Sequence, residues 1–141
     1  MRFWDSSALV PLVLVDQSRD ELLALLEQDP AILAWWGTRV ECTAAVARRE
    51  REGALTVADA GAALERLRAL AAQWQEILPA DVVRRGAERL LRVHPLRSAD
   101  SLQLAAAIVA AEHEPATLEF VSLDERLNEA AGREEFPVRS L

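Results

Sequence analysis

Short apolar runs alternate with helix-forming stretches along the whole chain, and no other feature constrains the fold as much. Residues 2–5 (RFWD), 31–35 (AILAW) and 118–123 (LEFVSL) have strand length, and 136–138 is a shorter candidate. Strands that are largely apolar on both sides are covered on both faces, which indicates a parallel sheet. The sequence therefore predicts an α/β protein, a three-layer α/β/α sandwich with a mainly parallel central sheet. Residues 1–141 are expected to form one domain.

Local signals place the helices. Ser6 and Ser7 can cap a first helix over ALVPLVL, with Pro11 within or just past the first turn, where it is tolerated. Ser18-Arg19-Asp20-Glu21 and Thr38-Arg39-Val40-Glu41 are capping-box patterns opening two more helices, the second ending at Gly53. A long helix from Thr56 carries Leu64, Leu67, Ala71, Trp74 and Leu78 as one buried stripe, although Ile77-Leu78 also reads as a short strand. Residues 81–93 form a charged amphipathic helix ended by His94-Pro95. The helix over 99–112 is almost all Ala, Leu, Ile and Val after Gln103, so it is expected to be buried, its alanines allowing close backbone approach. A last helix is expected over 124–131.

Composition narrows the chemistry. With 51% apolar and 28% charged residues, the chain can bury a core, and disorder is excluded. All 16 basic residues are Arg, and there is no Lys. That removes Schiff-base chemistry, a P-loop, a receiver-type phosphoacceptor and a haloacid-dehalogenase-like phosphatase, which would also need an Asp where Ser7 stands. A single cysteine, Cys42, rules out an internal disulfide and a cysteine metal cluster. No run has the length of a membrane span or the form of a signal peptide, so a cytoplasmic protein is expected. A net charge of −7 argues against a generic nucleic-acid binder and suits a metal site or a basic partner.

Four acids stand at strand–helix junctions or helix starts: Asp5, Glu41, Asp100 and Asp124. In an open α/β sheet such junctions share the carboxyl edge, where ligands bind. At ~5 Å and an effective dielectric near 20, each carboxylate pair costs on the order of 3 kcal/mol, more than helix dipoles offset. Oxygen ligands without His or Cys select a hard cation, Mg²⁺ or Mn²⁺, which would reverse the local charge and admit a phosphodiester. Each acid also has a local explanation: Glu41 and Glu125 as capping-box members with Thr38 and Ser122, Asp5 as a cap, Asp124 as a first-turn acid.

Asp-Ser-Ser-Ala-Leu at 5–9, Val40-Glu41 opening a helix, RSADSLQLAAA at 97–107 and FVSLDERL at 120–127 together resemble the PIN-domain ribonucleases, in particular the VapC toxins of toxin–antitoxin pairs. The resemblance covers essentially the whole chain. It implies a Mg²⁺- or Mn²⁺-dependent endoribonuclease that hydrolyses RNA with metal-activated water. Asp5, Glu41, Asp100 and Asp124 would be both catalytic and metal-binding, with Asp5 and Asp100 as direct ligands. Ser6, Ser122 and Arg97 would support the site. It further implies a homodimer and a small VapB-like antitoxin as partner. Gln103 departs from the pattern, since many relatives carry His there, and Trp35-Trp36 is bulkier than usual beside the groove.

Among the remaining residues, Trp4 and Trp74 read as core, and one of Trp35 and Trp36 is expected inside and the other near the groove. Cys42 reads as a small buried hydrophobe, His94 and His113 as dipole-favoured helix-end residues, and residues 48–53 as a solvated face. Arg39, Arg97 and Arg126 could meet RNA phosphates. The competing reading is a non-catalytic acidic module that captures a basic peptide of a partner protein.

Overall fold

The computed structural model describes residues 1–139 and 141. Strands β1 (Arg2–Trp4), β2 (Ile32–Trp35), β3 (Gln75–Ile77), β4 (Glu119–Val121) and β5 (Val138–Arg139) form one sheet. Its order is β3-β2-β1-β4-β5, and every pairing is parallel. Helices α1 (Ser6–Leu14) and α2 (Arg19–Gln28) link β1 to β2, and α3 (Thr38–Arg51) and α4 (Val57–Ala71) link β2 to β3. Helices α5 (Asp81–Val93) and α6 (Ser98–Ala110) lead to β4, and α7 (Glu125–Arg133) leads to β5.

Alternation along the strands builds two cores, one on each side of the sheet. Trp4, Ile32, Ala34 and Val121 point towards α1–α4, where they meet Leu9, Leu22, Cys42 and Leu67. Phe3, Leu33, Trp35 and Phe120 point towards α5–α7 and meet Leu90, Leu104 and Leu127. The rings of Phe3 and Phe120 stack at 5.6 Å across the β1–β4 pair. The result is the three-layer α/β/α sandwich expected, with a wholly parallel sheet. Where α5 crosses α6, a methyl group at Gly86 would sit 3.5 Å from Ala105 Cβ, the close approach that the alanines of α6 permit.

Pro11 lies just past the first turn of α1, one of the places expected, and is buried there. Several local expectations are corrected. The N-cap of α1 is Asp5 rather than a serine. Ser18 caps nothing with its side chain. The helix from Thr56 stops at Ala71, so Trp74 is buried beyond its end, and Leu78 is exposed after β3. His94 is buried at the end of α5 and bonds Glu134 Oε2 at 2.8 Å, a specific partner in place of a dipole contact. Arg49, within the supposed solvated run, grips Asp16 with two hydrogen bonds of 2.8 and 2.9 Å.

Trp35 and Trp36 divide as expected, with 8% and 51% of their surfaces exposed. Gly37 makes this possible, because a Cβ there would lie 2.6 Å from Trp35 Nε1. Gly37→Ala is expected to displace the indole and cost about 1–3 kcal/mol in urea unfolding, with a shift in tryptophan emission.

Candidate active site

The strand order reverses between β2 and β4 around β1, so the carboxyl ends of β1 and β4 flank the switch point at which ligands bind in such sheets. Asp5 follows β1 and Ser122 follows β4, and the Asp5 N–H donates to Val121 O at 3.0 Å, prolonging the ladder by one bond. Asp5 is almost wholly buried. Its Oδ2 accepts from the Ser7 N–H at 3.2 Å, from Ser7 Oγ at 2.5 Å and from Ser122 Oγ at 3.0 Å. Each hydroxyl is oriented in turn, since the Leu123 N–H donates to Ser7 Oγ at 2.9 Å and the Asp124 N–H to Ser122 Oγ at 3.0 Å. With these lone pairs engaged, the hydroxyl protons are aimed at the carboxylate.

Glu41 projects from the first turn of α3. Thr38 is not its capping partner: the helix is capped by Gly37, Thr38 is buried, and no side-chain cap bond forms. Instead Gln103 Nε2, from the core of α6, donates at 2.8 Å both to Thr38 Oγ1 and to Glu41 Oε2, and Ser6 Oγ donates to Glu41 Oε1 at 3.3 Å. Gln103→Ala would strip Thr38 and Glu41 of this donor and leave a void, so a loss of about 1–3 kcal/mol is expected in the denaturant midpoint of the metal-free protein.

Asp100 and Asp124 line an open cleft of about 650 Å³ with Arg97, Ala99, Glu125 and Arg126. Asp124 caps α7, its Oδ1 accepting from the N–H groups of Arg126 at 3.0 Å and Leu127 at 3.1 Å. Ser122 therefore serves Asp5, and the cap expected of it falls to Asp124. Arg97, at the N-cap of α6, and Arg126 place positive charge beside Asp100.

The charges are coupled. Burial pushes the Asp5 carboxyl up from the ordinary aspartate range, against the pull of its Ser7 and Ser122 hydrogen bonds, and the Asp100 charge adds to the rise. Burial likewise raises Glu41 to about 7, despite the Gln103 bond, with Asp5 and Asp100 contributing. Asp100 is raised by burial and then by Asp124, while the Arg97 N–H and the Arg97 and Arg126 guanidinium groups oppose the change. Cys42, next to Glu41, is pushed up to about 12 by burial, so it stays a thiol and is no nucleophile.

The fold thus brings the four acids to one edge, where their charges interact: Asp100 and Asp124 line the cleft, Asp5 is buried and Glu41 half-buried. Among the described residues, no three His, Cys, Asp or Glu side chains converge closely enough to share one metal ion. The donor chemistry nevertheless fits a hard divalent cation: all-oxygen ligands, negative charge that Arg97 and Arg126 offset only in part, and raised proton affinity that a cation would relieve. Mg²⁺ commonly takes only one or two carboxylates and completes its shell with water, so a three-carboxylate cluster is not required. Ser7 is the site residue that sequence reasoning missed. Asp at the N-cap faces position N2, and that geometry could have identified it.

No protein-family profile and no curated protein sequence matches this chain. Solved structures do. It is similar to a toxin–antitoxin complex from Klebsiella pneumoniae at 15% identity and a TM-score of 0.68, over 99% of this chain and 97% of that one. It is similar to FitAcB from Neisseria gonorrhoeae at 17% identity and a TM-score of 0.67, with the same coverages of 99% and 97%. At such identities the likeness is one of fold, and it runs the length of the chain.

Proposed function

We propose that the protein is a metal-dependent endoribonuclease acting as the toxin of a toxin–antitoxin pair. The observation that carries this reading is the set of Asp5, Glu41, Asp100 and Asp124 at the switch-point edge, coupled in charge, with the proton affinity of Asp5, Glu41 and Asp100 raised. The similarity of fold to a toxin–antitoxin complex from Klebsiella pneumoniae supports the biological role and an antitoxin partner.

Asp5 and Asp100 would hold Mg²⁺ or Mn²⁺, with Glu41 and Asp124 beside it. When bound, the ion would supply charge for a phosphoryl oxygen and lower the pKa of a water. The chain's own residues do the rest. Ser7 and Ser122 hold the buried Asp5 carboxylate in one orientation. Gln103 and Ser6 do the same for Glu41, which would accept a proton from the attacking water. Arg97 and Arg126, at the cleft mouth, are placed to meet flanking phosphates.

The test is incubation of the purified protein with total RNA in Mn²⁺ and in EDTA, with mapping of the new ends. Discrete internal cuts that need the metal are expected. No cleavage and no calorimetric metal binding, together with tight capture of an Arg-containing peptide, would favour the non-catalytic acidic module instead.

A further inference from the structure

Trp36 is the exposed tryptophan of the four; Trp4, Trp35 and Trp74 are all buried. Its position is fixed. The backbone N–H donates to Ile77 O at 3.0 Å, continuing the β2–β3 ladder past Trp35, so the indole stands at the carboxyl edge of the sheet. Five residues on, in the first turn of α3, comes Glu41. With Arg39, Val40, Thr43 and Glu76, Trp36 lines a cleft of about 340 Å³, within the size range of small-ligand sites. Glu76 Oε2 accepts from Trp74 Nε1 at 3.0 Å, which leaves Oε1 as an acceptor.

We propose that this cleft is a subsite for one unpaired nucleobase of RNA, stacked on Trp36, with Arg39 on the adjoining phosphate. The inference rests on the nuclease reading and extends it to how substrate is held. A flat aromatic face, an aliphatic wall, a cation and polar groups for a base edge match the way single strands are bound. Arg39, Arg97 and Arg126, all at this edge, form no salt bridge among the described residues, so their guanidinium groups are available to phosphates. A protein partner fits less well, because beside Trp36 and Val40 the lining is polar or charged, with Arg39, Thr43 and Glu76.

The experiment measures binding of a labelled mixed-sequence heptaribonucleotide in Ca²⁺, where affinity can be read without relying on turnover. Versions of the heptamer each lack one base. Trp36→Ala should weaken binding of the intact strand roughly ten- to a hundredfold, and Trp36→Phe should retain most of the affinity. One abasic strand should lose that factor with the wild type and lose nothing more with Trp36→Ala. RNA should also shield wild-type fluorescence from acrylamide. Melting temperatures of both variants should match the wild type, since the side chain is exposed. The proposal is overturned if the wild type does not bind, if Trp36→Ala binds within twofold of it, or if the loss is the same on every abasic strand. Shielding of Trp36 by self-association without RNA also overturns it, as the mark of a protein interface. Base-specific binding without cleavage in Mg²⁺ or Mn²⁺ would sink the nuclease reading and leave the subsite standing. Cleavage with no role for Trp36 would do the reverse.

Discussion

Asp100→Asn is expected to lower RNA cleavage by on the order of 10³-fold or more while leaving the metal-free protein at least as stable as the wild type. The two effects diverge because of where Asp100 sits. It lines the open cleft and is half-buried, and its charge stands against Asp124 and adds to the burden on Asp5 and Glu41. Removing that charge relieves repulsion in the absence of metal and would remove a proposed ligand in its presence. Single-turnover cleavage in Mn²⁺ and thermal melting in EDTA measure the two quantities separately. Cleavage within tenfold of wild type would refute the assignment. Asp5→Asn is the less clean variant: three donors converge on its Oδ2, so the amide must turn its oxygen to them and its nitrogen away. It should lose activity.

The second large effect is on stability as a function of pH. The metal-free protein should be more stable at pH 5.5 than at pH 8. A carboxyl with a higher pKa in the folded state holds its proton more tightly there, so stability falls as pH rises from the unfolded value to the folded one. For Glu41 that window runs from 4.5 to about 7, and the upward shifts of Asp5 and Asp100 act in the same direction. Discounted for partial solvent exposure, Glu41 alone contributes about 2 kcal/mol, roughly 5–8 °C in melting temperature for a chain of this size. Glu41→Gln should flatten much of the slope. A divalent ion, which binds the deprotonated carboxylates, should raise the melting temperature more at pH 8 than at pH 5.5. At still lower pH the curve should turn over. Glu134, held below the ordinary glutamate range by Arg89 and His94 in spite of its burial, loses its contribution as it is protonated. A flat profile across pH 5.5–8 in EDTA, with wild type and Glu41→Gln superimposed, would contradict the coupling.

The layers of the fold were legible because they follow from periodicity. Phe3 and Trp4 are apolar neighbours that must face opposite sides of a strand, and each found its own core. The all-apolar stretch of α6 is fully buried over residues 104–107 and half-buried over residues 108–110. Helix starts were harder to read. Thr38-Arg39-Val40-Glu41 satisfies a capping rule perfectly well as a string, but Gln103 arrives from another layer, 62 residues from Glu41, and binds both ends of it. A long-range donor of this kind leaves no local trace in sequence. Ser7 was hidden for the opposite reason: with Ser6 and Ser7 adjacent, only the placement of Asp5 at the N-cap decides which hydroxyl turns to the aspartate and which to Glu41. The four acids could be named from their junctions, but their depths could not. That Asp5 is buried and Asp100 lines the cleft depends on how α6 seats against the sheet edge.

The Asp5–Ser122 bond joins positions 117 apart, and the first strand pairs with the fourth. During synthesis, β1 therefore waits for nearly the entire chain before its second neighbour leaves the ribosome. A nascent chain can stack β1, β2 and β3 with the helices around them and still lack Ser122 and Asp124. Assembly of this acidic edge is a late event in the life of each molecule, one that a truncated or stalled translation product never reaches.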